Sequence, residues 1–157
     1  MAGRDAHELG QWGPENPRHD RTVRDVPRIL TLVSGLALLG LLALVTVASL
    51  QPSTGAVSLP HADKALHFLA YAGVAGLAVP TLCARARMAF ALAVLWGAGI
   101  EAAQGLMALG REASGLDILA NTAGAALGAW VSLAALRVLA SRGRARRDSR
   151  PTGYRGP

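Results

Sequence analysis

Ile29–Leu50 is an unbroken run of 22 residues without a charge, closed by Gln51-Pro52. As a helix rising 1.5 Å per residue it reaches about 33 Å, enough to cross the hydrocarbon core of a bilayer. A cleaved signal peptide would carry an apolar region of roughly 7–15 residues close to the N-terminus. This run is too long and begins too late, so an uncleaved anchor is expected.

The rest of the chain fits that constraint. Hydrophobic residues make up 52% of 157, aromatics only 4%, and mean hydropathy is +0.32. The apolar mass is therefore Ala, Leu, Val and Gly, which suits close helix packing in lipid. The sequence pI of about 11.0 raises nucleic-acid binding as a possibility. The basic residues sit mainly in the two tails, without interleaved aromatics or a nucleic-acid motif, so no nucleic acid is expected. Cys83 is alone, so neither an internal disulfide nor a cysteine metal cage is available. One lysine against fifteen arginines, in an Ala/Gly/Arg-rich chain, has the look of a high-GC bacterial genome.

Further spans are predicted over Lys64–Leu82, with Pro80 near its end, and over Met88–Leu109. A connector of Cys83–Arg87 joins them. After the loop Gly110–Leu116, the pair Ser114 and Asp117 resembles a capping box opening a fourth helix that runs to Ala140. Residues 1–28 and 141–157, polar and rich in Gly, Pro and Arg, are expected to be disordered tails flanking a membrane domain over 29–140. Lys and Arg number five in the N-terminal tail, one in the first loop, two in the second, one in the third and seven beyond. The positive-inside rule then places both termini in the cytoplasm, which requires an even number of spans. The expected fold class is an all-α integral bundle of four transmembrane helices in a cell membrane.

Polar residues interrupt this apolar background, and an ionisable group inside a membrane helix is by default a functional-site hypothesis. Asp63, His67 and Tyr71 share one helix face at i, i+4, i+8, beside Lys64. Glu101 and Gln104 lie near the outer end of the third helix, Arg111, Ser114 and Asp117 in or beside the following loop, and Asn121 one turn into the fourth helix. Counting from the helix ends puts His67 and Asn121 about 6 Å below the outer interface, and Tyr71 and Glu101 about 12 Å. All are expected in one extracytoplasmic pocket. Gly124 and Gly128 form a small-xxx-small stripe, and Gly97 and Gly105 flank Glu101 by one turn each, so these four are expected at helix contacts. Plainer roles stand beside the functional ones: caps for Asp63 and Asp117, interfacial anchors for Lys64 and Arg111, and a self-satisfied polar network for the whole set.

The ordered set Asp63-Lys64-x-x-His67-Phe68-x-x-Tyr71, Glu101-x-x-Gln104 and Arg111-x-x-Ser114-x-x-Asp117-x-x-x-Asn121-x-x-Gly124 resembles the VanZ-like family of small bacterial membrane proteins. The resemblance covers about Ile29–Ala140. It implies a compact multi-helix membrane bundle and a link to glycopeptide resistance, since the founding member lowers susceptibility to teicoplanin.

Two readings of the activity stand open. In the first, a non-enzymatic envelope protein binds a membrane lipid, a lipid-linked precursor or a lipoglycopeptide at the outer leaflet. Lys64 and Arg111 then contact phosphate or carboxylate. In the second, a membrane-embedded enzyme acts on a lipid-linked precursor, with His67, Glu101 and Asp117 as catalytic candidates and Arg111 stabilising negative charge. No cofactor is expected. A divalent-cation site from His67, Asp63, Glu101 and Asp117, with His61 available, ranks last, because the spacing matches no strong metal motif.

Overall fold

The computed structural model describes residues 26–51, 62–107 and 114–148, and every regular element among them is a helix. They are α1 (Arg28–Leu50), α2 (Ala62–Thr81), α3 (Ala86–Met107) and α4 (Gly115–Asp148). The first three start and stop within about two residues of the sequence expectation.

The fourth does not. It continues beyond Ala140 to Asp148, so residues 141–148 are helical where a disordered tail was expected. The apolar pattern stops at Ala140, but helix formation does not need it. Arg and Ala are strong helix formers, and no proline intervenes before Pro151.

Consecutive helices run antiparallel. Thr31 and Ser34 of α1 meet Pro80 and Thr81 of α2: the Thr81 and Ser34 hydroxyls lie 3.1 Å apart, and the Thr31 hydroxyl donates to Pro80 O over 3.5 Å. At the other end of α1, Trp96 Nε1 donates to Thr46 Oγ1 (3.2 Å) and Gln104 Nε2 donates to Ser49 O (2.8 Å). α1 and α3 are therefore parallel, as are α2 and α4.

The α2–α4 contact is the most extensive, and α2 also packs on α1 and α3. Its small residues explain the closeness. A Cβ added to Gly124 would sit 2.9 Å from the carbonyl carbon of Phe68, and one added to Gly128 2.7 Å from that of Ala72. Backbone rests on backbone there, which only glycine permits. Ala75, Ala78 and Ala125 beside them are fully buried.

Large apolar side chains point the other way. Leu36, Leu95, Leu106 and Trp130 are each more than two-thirds exposed. An interior of Ala, Gly and Val with Leu outside is what hydrocarbon surroundings select, and a surface this apolar is not a water-facing one. Three helices, α1, α3 and α4, are long and apolar enough to cross a membrane. α2 carries Asp63, Lys64, His67 and Tyr71, and buries its remaining apolar face against its neighbours.

The α2–α3 turn places Cys83 and Ala84 at φ of 51° and 63°. Two non-glycine residues in the left-handed region cost about 1–2 kcal/mol each. The Ala84 N–H donating to Val79 O over 2.8 Å closes the turn. Between α1 and α3 an open apolar cleft of about 730 Å³ is lined by Leu50, Leu82, Met88, Leu92, Trp96 and Ile100.

Candidate functional site

With this up-and-down order, the C-terminal ends of α1 and α3 meet the N-terminal ends of α2 and α4. That end gathers Asp63, Lys64, His67 and Tyr71 from α2, Glu101 and Gln104 from α3, Ser114 before α4, and Asp117 and Asn121 within it. Arg111 and His61 lie outside the described residues. Gly97 is buried in the same layer, where an added Cβ would come within 3.0 Å of Asn121 Nδ2 and of the Tyr71 ring. Gly105 is exposed, against the expectation of a helix contact. At 3.6 residues per turn the buried stripe of α3 runs through Gly97, Glu101 and Gln104, and Gly105 has rotated off it.

Glu101 is 2% exposed. Its Oε2 accepts the Ser114 N–H at 3.1 Å. Ser114 immediately precedes α4, and its hydroxyl accepts the Asp117 N–H at 3.4 Å. Only half of the expected capping box forms within the chain segment. The other half, a carboxylate on the N-cap N–H, comes from Glu101 on α3 instead of from Asp117. The first-turn amides of α4 and their dipole make this a favourable place for a carboxylate. Gln104 does the converse for α1, donating to Ser49 O in its last turn, where carbonyls have no intrahelical partner.

Relieved of the cap, the Asp117 carboxylate turns to α2. Lys64 Nζ lies 3.4 Å from its Oδ1, an ion contact without hydrogen-bond geometry. His67 joins the same two helices: its Nδ1 is 3.0 Å from Asn121 Oδ1, and its Nε2 is 3.8 Å from Asp63 Oδ1. An amide oxygen only accepts, so the Nδ1 donates to it, and the Nε2 edge of the ring faces the Asp63 carboxylate.

Four buried polar atoms accept or donate no hydrogen bond among the described residues: Tyr71 Oη, Glu101 Oε1, Asp117 Oδ1 and Asn121 Nδ2. Buried polar groups are ordinarily satisfied, and each exception costs about 1–3 kcal/mol. All four lie at this one end. One of them, Asp117 Oδ1, is the atom that faces the Lys64 ammonium.

Sequence spacing identified the residues that face inward, but not their partners. The Ser49 carbonyl and the Ser114 amide, both essential to where Gln104 and Glu101 sit, are backbone groups with no signature in a sequence. The link between Thr46 and Trp96 was also missed, and a threonine in an apolar helix gives no signal for it.

No curated protein and no solved structure matches the chain. A family model described as VanZ/LLP1 matches residues 17–137, which begins ahead of α1, inside the segment read as a tail, and takes in every residue from Asp63 to Gly124 that carries the resemblance. With three helices of membrane-spanning length and character, the chain belongs to the VanZ/LLP1 family and is a membrane protein of VanZ type.

Proposed function

We propose that this protein is a four-span bacterial envelope protein, both termini cytoplasmic, that binds a lipid-linked ligand in its polar end at the outer leaflet without turning it over. Four buried polar atoms that make no hydrogen bond among the described residues, Asp117 Oδ1 being the one beside Lys64, carry this reading. A site that keeps donors and acceptors unpaired at such cost is prepared for a polar group that arrives from outside. Lys64, half-exposed at the rim, and Arg111 in the adjoining loop suit a phosphate or carboxylate. The apolar cleft between α1 and α3 reaches Ile100, next to Glu101, and has the shape and lining for a hydrocarbon chain beside that headgroup. Lipid-linked cell-wall precursors and lipoglycopeptides both combine these two parts, and binding either would give the protein a part in teicoplanin-type resistance.

Tyr71 tests the reading. Its hydroxyl has no partner, so Tyr71→Phe removes an unsatisfied group and is expected to raise stability by about 1 kcal/mol. The same variant is expected to bind a labelled lipid-linked precursor several-fold more weakly in nanodiscs. In a susceptible host at matched protein level, Tyr71→Phe and Arg111→Lys should both lose protection against teicoplanin. Unchanged binding in the stabilised Tyr71→Phe variant would remove this reading.

The contact of His67 with Asn121 and Asp63 supports a second reading, an enzyme with His67 as general base on a lipid-linked precursor. Ser114 is engaged as a helix cap and does not serve it as nucleophile. Turnover of the labelled precursor, abolished in His67→Ala, is the result that reading requires.

A further inference from the structure

The ligand atoms of Asp63, His67 and Asp117 all lie within 4.8 Å of one another. We infer that these three residues form a binding site for a divalent transition-metal ion of the zinc class, with an open coordination position toward the end of the bundle.

Several independent features of this end converge on a cation. The His67 ring is fixed by Asn121, whose oxygen takes the Nδ1 proton. The Nε2 edge is left facing a carboxylate oxygen 3.8 Å away. With Nδ1 engaged by Asn121, Nε2 is the ring nitrogen on the Asp63 side from which a metal would be held. A histidine oriented through its second nitrogen is also how metal-binding imidazoles are held. Asp117, 8% exposed, aims an oxygen at the same point that accepts no hydrogen bond. Among the described residues the Lys64 ammonium lies 3.4 Å from that oxygen. The two helices that supply the ligands are the pair locked backbone to backbone at Gly124 and Gly128, so His67 and Asp117 are held in place before any ion arrives.

The donor set selects the ion. One imidazole nitrogen and two carboxylates suit zinc and its neighbours, whereas calcium and magnesium favour oxygen-only shells. Three protein ligands leave a position open, as zinc sites that engage a further ligand do. Ligand atoms around zinc sit about 2.0–2.2 Å from it, so the triad must close slightly. Asp63 can do this, because its side chain is 41% exposed. Lys64, 36% exposed and 3.4 Å from Asp117 Oδ1, can swing away from that carboxylate.

The ion is measurable without any lipid ligand, so this inference and the proposed function fail separately. Full-length protein in detergent, stripped with a chelator, is titrated with zinc chloride. Binding is read as bound metal per chain and as the rise in melting temperature; cobalt is added for its absorption spectrum. One equivalent is expected, with a tetrahedral cobalt spectrum. His67→Gln and Asp117→Asn should each weaken binding at least 100-fold. Asn121→Leu should weaken it 10–100-fold through loss of ring orientation. Lys64→Met should tighten it, a gain that a misfolded variant cannot mimic. Wild-type protein that binds no zinc, or Lys64→Met that binds less than wild type, overturns the site, as does full affinity in His67→Gln.

Discussion

A carboxylate that is 2% exposed in an apolar bundle needs a partner, and Glu101 takes the N–H of Ser114 with one oxygen. The requirement is for an acceptor, and a glutamine supplies one. Glu101→Gln should therefore cost less than about 1 kcal/mol. Glu101→Leu leaves the Ser114 N–H unpaired and should cost about 1–3 kcal/mol, read by unfolding in detergent. A loss in Glu101→Gln as large as in Glu101→Leu would mean that charge at the α4 N-terminus, not the hydrogen bond, holds this end together. The i, i+4, i+8 spacing made Asp63, His67 and Tyr71 legible as one face before any coordinates. It said nothing of which carboxylate meets Lys64 or which group caps α4. Those pairings depend on how far each helix is rotated and slid against its neighbours, and no single-helix period encodes that. Gly105 shows the same limit: a spacing of eight residues from Gly97 accumulates enough rotation to leave the buried stripe.

Between elements, the α2–α4 pair is set by two glycines. The Gly124-x-x-x-Gly128 pattern was readable as a packing face, while its partner, the backbone at Phe68 and Ala72, was not, because a carbonyl can be approached on any helix. Gly124→Ala or Gly128→Ala drives a methyl group into that backbone, which has no side-chain rotation with which to yield. Each should cost about 3 kcal/mol or more and reduce the amount of folded protein in the membrane. Gly40, in α1, has nothing within 4 Å of an added Cβ. Gly40→Ala should be neutral or stabilising by up to about 1 kcal/mol, from helix propensity alone. Equal losses at all three positions, measured as folded fraction by size-exclusion fluorescence, would refute glycine-specific packing. The helix ends tell the complementary story. α1 was legible because apolarity ends where the helix ends; α4 was not, because its Arg-rich last turns remain helical after apolarity has stopped.

For the whole molecule, the proposed orientation puts the α2–α3 turn on the cytoplasmic side, and the chain provides its own probe there. Cys83 is the single cysteine, exposed in that turn. A membrane-impermeant maleimide should leave it unlabelled in intact cells and label it after permeabilisation. A Cys83→Ser, Ser58→Cys double variant should show the reverse. Labelling of Cys83 in intact cells would invert the topology and move the polar end to the cytoplasmic face.

During synthesis, the acceptor on α3 is made before its donor. Glu101 leaves the ribosome 13 residues ahead of Ser114, an interval of about one second at roughly 5–20 residues per second. Through that interval the Ser114 amide that its carboxylate accepts has not yet been produced. α3 is thus a poor candidate to enter the bilayer by itself, and a helical hairpin of α3 with the start of α4 is the smallest unit in which that acceptor is already paired. Alkaline phosphatase fused after Leu109 should be exported poorly, and Glu101→Leu should restore its export; equal export by both would remove this order of insertion.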